Sequence, residues 1–467
     1  PMITFFKAVY RRHTNFAMES VEQTFNGVPD FERNISCLIS RHGDLISGVY
    51  LQATLPAVSG VETANAAERW SENVGHHLIK SIELDIGGQV IDKHYGDWLD
   101  IWAQLTVPAE KNIGYYEMIG QDPTGPMGAP GRAQRDEFDA IRISNKTVYI
   151  PLQFWFCRNI GLALPLIALQ FHEVKIHMKL ASKLELMRTT NKTIVVGEGL
   201  SNVKLWIDYI YLDEDERRKF TQVAHEYLIE QLQVVEKKVT SGLYRDQPKY
   251  VDIDLDFNHP VKELIWTVQN IQAMEDLDRQ YSNFTSVRAN RPQLANPPDE
   301  LEDFTPLYGV QFNSNPPANL NLRPNQNDDS IHRLGMLKRE DHILAFTNHS
   351  CVAPPGSLNP VISAQLFLNG HQRFKEMSGN YFNLYQCNKH HTSVPISPGI
   401  NVYSFALNPE EHQPSGTCNF SRLDSARLTI GVDPLYYGVT GIEDSKDGTI
   451  INNNGVPIHL IPFCNFI

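Results

Sequence analysis

Apolar and polar residues alternate with a period of two in run after run of this chain, while long helical periodicity is scarce. Such alternation marks half-buried strands, because successive side chains on a strand point to opposite faces. The clearest run is Leu84-Asp85-Ile86-Gly87-Gly88-Gln89-Val90-Ile91-Asp92. Gly87-Gly88 tolerates the positive φ of a tight turn, which predicts a two-residue hairpin with Leu84 opposite Ile91. The pattern returns at Leu366-Phe367-Leu368-Asn369-Gly370-His371-Gln372-Arg373-Phe374, with Asn-Gly at the turn. Phe374 falls one place later than Ile91. A three-residue loop with Gly370 left-handed would return it to the Leu366 face. A hairpin that recurs so far along the chain points to two copies of one domain.

Other runs fit two copies. Phe16 to Phe25, Asp44 to Leu55, Val148 to Phe156, Glu173 to Leu180 and Val203 to Leu212 read as strands of the first copy. In the second, Ile229–Gln233 matches Met18–Glu22, Val402–Leu407 matches Val148–Phe154, and Ala426–Val432 matches Val174–Leu180. Tyr250 to Phe257 and Glu263 to Val268 are further strands. One helix stands out: Trp98, Ile101, Trp102 and Leu105 form an i, i+3, i+4, i+7 stripe, with Asp97 placed to cap it and Pro108 to end it. Glu110 to Glu137 reads as a long surface loop, and Gly161 to Leu169 as a compact turn or short helix. The charged run Asp213 to Lys219 reads as a turn or short helix and marks the boundary. The expected division is 1–213, a linker at 214–224, and 225–467 with insertions over about 270–360. The apolar end, Ile450 to Ile467, is expected to dock on its own subunit or on a neighbour.

Length and composition agree. A chain of 467 residues exceeds one ordinary core, and two domains of about 200 residues are the expectation. With Pro 28 and Gly 29 the chain is rich in turns, and all-β is the favoured class. The net charge of −13 argues against direct nucleic-acid binding, which needs a basic face. No run reaches the roughly 18 apolar residues of a membrane span, and no signal peptide is visible. The chain starts at Pro1 rather than Met, as it would if a leading segment preceded it. Cys37, Cys157, Cys351, Cys387, Cys418 and Cys464 are scattered without a Cys-x-x-Cys pair, as free thiols of a reducing compartment would be.

Candidate chemistry is sparse. His172 and His177 sit five apart on a predicted strand, not four apart on a helix as a zinc motif requires. Cys387, His390 and His391 lack a nearby acid in sequence, so a structural role is expected. Asp252-Ile253-Asp254-Leu255-Asp256 reads as a half-exposed strand rather than a calcium site. Gly87-Gly88 lacks the spacing of a phosphate loop, and no Gly-x-Ser-x-Gly elbow or Cys/His catalytic spacing occurs. No catalytic, cofactor-binding or metal residue is assigned. Candidate N-glycosylation sequons are Asn34, Asn145, Asn191, Asn283, Asn348 and Asn419.

Five stretches, in order, carry a family resemblance: Pro1-Met2-Ile3-Thr4-Phe5-Phe6 through Ala17; Gly87-Gly88-Gln89 with Asp92-Lys93-His94-Tyr95; Gly161 to Gln170; His225 to Gln231; and Gln413 to Arg422. Together they resemble the major capsid proteins of nucleocytoplasmic large DNA viruses, above all the phycodnavirus and chlorovirus type. The resemblance implies a double jelly roll, two tandem eight-stranded sandwiches with short helices and long loops. It implies a homotrimer forming pseudo-hexagonal capsomers of an icosahedral virion shell, made in the host cytoplasm. Implied partners are copies of the chain, minor capsid proteins beneath the shell and glycans on outer loops; no cofactor is implied.

Self-association leads among the functions. Candidate contacts are Arg11 and Arg12, beside His13; Trp98 and Trp102; and Ile458 and Phe463, since aromatics and Arg anchor interfaces. The competing reading of the two Trp is that they fill their own domain's core. A lectin-like module would instead hold sugar in the 270–360 loops. A cupin-like enzyme would need several His converging on one strand face, and none do so in sequence.

Overall fold

The computed structural model describes residues 10, 13–61, 69–71, 73–120, 134–135, 140–143, 145–188, 195–196, 199–239, 249–270, 359–395, 397, 399–432 and 458–466. The first half contains β1 (Phe16–Gln23), β2 (Asn34–Leu38), β3 (Leu45–Leu55), β4 (Ile79–Ile86), β5 (Gln89–Tyr95), β6 (Lys146–Pro151), β7 (Val174–Leu180) and β8 (Ser201–Leu212). They hydrogen-bond in the orders β1-β8-β3-β6 and β2-β7-β4-β5, antiparallel throughout. The second half contains β9 (Gln231–Val234), β10 (Lys249–Asp254), β11 (Pro260–Asn270), β12 (Val361–Leu368), β13 (His371–Ser378), β14 (Asn401–Ser404), β15 (Ala426–Val432) and β16 (Ile458–Phe466). Their orders are β9-β16-β11-β14 and β10-β15-β12-β13, the same wrap strand for strand, with short extra strands attached. In each half the chain shuttles between two sheets, which is the jelly-roll connection.

Alternation places the cores. Val174, Ile176, Met178 and Leu180 of β7 are buried, whereas Lys175, His177 and Lys179 are not. Inward residues of both sheets, such as Leu51, Leu205, Leu84 and Ile176, share one apolar cluster. Val251, Ile253, Leu264, Leu366 and Ile430 do the same in the second half. Val251 to Phe257 are alternately buried and exposed, the half-exposed pattern read for the Asp252–Asp256 run.

Both hairpins turn in two residues. Gly87 and Gly88 have φ of 66° and 87°, and Asn369 and Gly370 have 50° and 74°, the doubly positive pattern of a type I′ turn. The expected three-residue loop at Gly370 is therefore replaced. Phe374 does pair with Leu366, but through a β-bulge at Arg373, since Phe367 pairs with Gln372. The first hairpin has the same bulge at Ile91, so Leu84 pairs with Asp92 and not with Ile91. One inserted residue moves every later side chain by one place, which alternation alone does not reveal.

The apolar C-terminal segment is β16, which lies between β9 and β11 as β8 lies between β1 and β3. It completes a sheet of its own subunit, where an absent strand would leave two open edges. The expected loop from Glu110 starts as a helix, Asn112–Met118, in which Tyr116 is buried. Tyr115 Oη lies 2.9 Å from His76 Nε2. The charged run forms the helix Glu214–Gln222, with Asp213 as its N-cap. Arg217 ties it to Asp44 at 3.1 Å, and Phe220 packs on Leu45 and Ile210. The insertion expected at 270–360 lies almost wholly outside the described residues.

Candidate assembly interface

The two halves meet on the helix Gly96–Thr106, which follows β5. Gly96 allows the tight start: a Cβ there would lie 2.6 Å from the Ile79 carbonyl oxygen and 2.7 Å from that of His76. The helix begins after Tyr95, so Asp97 lies in its first turn and makes no cap, though a carboxylate there suits the helix dipole. Leu99 faces the first core. The opposite stripe, Trp98, Ile101, Trp102 and Leu105, packs with Leu232, Ile265, Cys387, Ile400 and Val402 of the second half. Trp98 and Trp102 stack at 5.3 Å and are 0% and 4% exposed. Expected at a contact between subunits, they are instead buried between the two halves of one chain. An amphipathic stripe marks what a helix buries without saying in which domain the cover lies.

Polar groups seal the seam. Glu230 accepts from Arg158 Nη1 at 2.8 Å and also bonds Lys262 Nζ, which further donates to the carbonyls of Pro409 (3.1 Å) and Glu411 (2.6 Å). The Arg158 guanidinium also lies 4.6 Å from the Trp102 ring. Asp92 Oδ1 accepts from Leu232 N at 3.1 Å, and Ser393 N donates to Leu105 O at 2.9 Å. Ser397 N donates to Gln104 Oε1 at 3.0 Å.

His391 is held by two carboxylates, Glu263 at 3.0 Å and Glu410 at 2.9 Å. Burial lowers its basicity, but Glu263 and then Glu410 more than offset this, holding its pKa at about 9. The acids that sequence proximity did not supply come from β11 and from residue 410. Cys387 is buried and its thiol is pushed well up by desolvation, while His390 Nδ1 lies 2.8 Å from Leu407 O. Among the described residues, no group of three His, Cys, Asp or Glu is placed to hold a metal. Sequence reading passed over Lys262-Glu263, the charged pair that interrupts the apolar run from Val261 to Val268; that interruption was the available signal.

The remaining candidates are dispersed. Arg11, Arg12, Asn191, Asn283 and Asn348 lie outside the described residues. Ile458 and Phe463 are on β16, and only their backbone register is described: Ile458 pairs with Asn270 and Phe463 with Ile265. Asn34 and Asn145 are exposed. Asn419 is half-buried and its Oδ1 accepts from Ser421 N at 3.1 Å. His172 is exposed, and His177 Nε2 lies 3.9 Å from Asp85.

Comparisons with known proteins converge. Residues 4–213 match the family described as major capsid protein N-terminus, and residues 216–449 match large eukaryotic DNA virus major capsid protein. The major capsid protein of Phaeocystis pouchetii virus is 43% identical, covering 92% of this chain and 89% of its own. That of Paramecium bursaria Chlorella virus 1 is 34% identical, covering 97% and 86%. Among solved structures, a chain of the PBCV-1 virus capsid superposes with TM-score 0.68 at 30% identity, over 99% of this chain and 96% of that one. The Faustovirus major capsid protein shares the fold, with TM-score 0.65 at 13% identity, over 100% and 92%.

Proposed function

The chain belongs to the family of large eukaryotic DNA virus major capsid proteins, and on that premise we propose that it assembles as a trimer in which three double rolls act as six similar domains. As a major capsid protein it is a structural component of an icosahedral virion shell. The observation that supports the trimer is the duplication: two rolls of one strand order, joined through a helix laid on a sheet. Two like domains per chain give three chains the lateral symmetry that hexagonal tiling needs. Minor capsid proteins beneath the shell, and glycan on exposed Asn34 or Asn145, belong to the same proposal. The lectin alternative gains no support from the comparisons. Native mass spectrometry over a dilution series tests the trimer: the expected species is three times the 53.0 kDa chain. A monomer at every concentration would contradict it.

A further inference from the structure

A helix leaves its last four carbonyls without partners inside the helix. At the end of the helix Gly96–Thr106 the second roll supplies partners from outside. Ser393 N donates to Leu105 O at 2.9 Å, and Ser393 Oγ donates to Val107 O, just beyond the helix, at 2.6 Å. Ser397 N donates to Gln104 Oε1 at 3.0 Å. The helix that joins the two rolls is therefore capped by Ser393 and Ser397 of the other roll. What holds Ser393 in place decides how firmly the cap is made.

The two residues before Ser393 are its anchor. His391 N donates to Cys387 O at 2.9 Å, which ties it to the helix Cys387–His390. The His391 imidazole is fully buried between Glu263 Oε2 of β11, at 3.0 Å, and Glu410 Oε1, at 2.9 Å. Glu410 also accepts from Thr392 N at 2.8 Å and from Thr392 Oγ1 at 2.5 Å. A charged imidazole donates to both carboxylates, whereas a neutral one has a single N–H and serves only one of them. Its other nitrogen then turns a lone pair toward a carboxylate oxygen. The Glu263 side chain is 0% exposed and that of Glu410 is 22% exposed, so water can take the place of the imidazole only on the Glu410 side. The neighbouring groups offer no substitute charge. Lys262 is engaged by Glu230 and two carbonyls. The Cys387 thiol is pushed well up by burial and stays neutral, His390 Nδ1 lies 2.8 Å from Leu407 O, and Lys389 is exposed.

We propose that His391 is the proton-sensitive pin of a clasp between the two rolls: protonated, it holds Thr392 and Ser393 over the end of the helix Gly96–Thr106, and on losing its proton it releases them. The clasp opens as pH rises. Closed, the imidazole is held at about 9 by its two carboxylates; open to water, it returns to the ordinary 6.5. Closure is therefore firmest below about pH 6.5, weakens as pH rises toward about 9, and changes no further above that. Opening removes the cap from Leu105 O and Val107 O and leaves the apolar contact of Trp98, Ile101 and Trp102 as the main hold between the rolls. The clasp lies within one chain and does not depend on the trimer.

Amide hydrogen exchange of the full chain, with each rate divided by the intrinsic rate at that pH, tests the clasp. Protection of the Thr392 and Ser393 amides should be highest at pH 6, fall by up to about tenfold per pH unit between about pH 6.5 and 9, and then level off. The Ile176 amide, in the first roll, should stay protected throughout. Protection at Ser393 that is constant from pH 6 to pH 10, or that falls in step with Ile176 as global unfolding would make it, overturns the clasp. Glu410→Gln keeps an acceptor for Thr392 and removes one of the two charges. The fall at Ser393 should then be smaller and end at a lower pH; a profile that matches that of the natural chain overturns the role of the proton, whatever the stability of the variant. His391→Gln should leave Ser393 poorly protected already at pH 6 and without pH dependence, and protection equal to that of the natural chain at pH 6 overturns the pin.

Discussion

Lys262 is 0% exposed in a strand that is otherwise apolar from Val261 to Val268 apart from Glu263 and Thr267, and it is tolerable there because Glu230 and two carbonyls take its three N–H bonds. Removing one partner of a buried pair leaves the other charge uncompensated. Glu230→Gln should therefore lower unfolding stability by about 3–5 kcal/mol in a denaturant titration; a loss below about 1 kcal/mol would show the pair to be solvated. His391 gives a pH signature. Its folded pKa of about 9 lies above the ordinary value of 6.5. Its contribution is therefore full below about pH 6.5 and is lost as pH rises through about 9. The stability advantage of the natural chain over His391→Gln should shrink by roughly 1.4 kcal/mol per pH unit across that window. An advantage that does not change from pH 6 to pH 10 would refute the ion pairs. At this scale the sequence was partly legible: Lys262-Glu263 stands out within an apolar run. Its partners, Glu230, His391 and the carbonyls of Pro409 and Glu411, were not, because only the folded topology brings them to β11.

Among elements, strand positions follow from alternation, since inward residues of β3, β7, β10 and β15 recur every second place. The turn at Gly87-Gly88 was readable from residue type alone. The bulges at Ile91 and Arg373 were not, because Asp92 takes a buried position through its bond to Leu232 N and a 2.9 Å contact with His94. A carboxylate in an inward place looks like a surface residue until its partners are known. The stripe on Gly96–Thr106 was legible as a buried face, but its cover comes from the second roll, and so Trp98 and Trp102 looked available to a neighbour. The last strand shows the same difficulty: its apolar character was plain, but its place between β9 and β11 depends on pairing far along the chain. Deleting residues 458–466 should thus unfold the second roll, and not merely weaken association. Limited proteolysis should find cleavage spread through 225–432 while the first roll persists; resistance equal to that of the full chain would contradict the placement of β16.

For the whole molecule, duplication is the organising fact. Each roll supplies a helix after its fifth strand and an outer sheet face, and one pairing of the two is made inside the chain. The net charge of −13 is compatible with a shell protein that does not itself hold nucleic acid. The most direct test is an electron cryo-microscopy reconstruction of the assembled shell. It should show pseudo-hexagonal capsomers of three chains, each chain's two rolls alternating with its neighbours' around a threefold axis. Capsomers built from any other number of chains, or from rolls that share no ring, would contradict it.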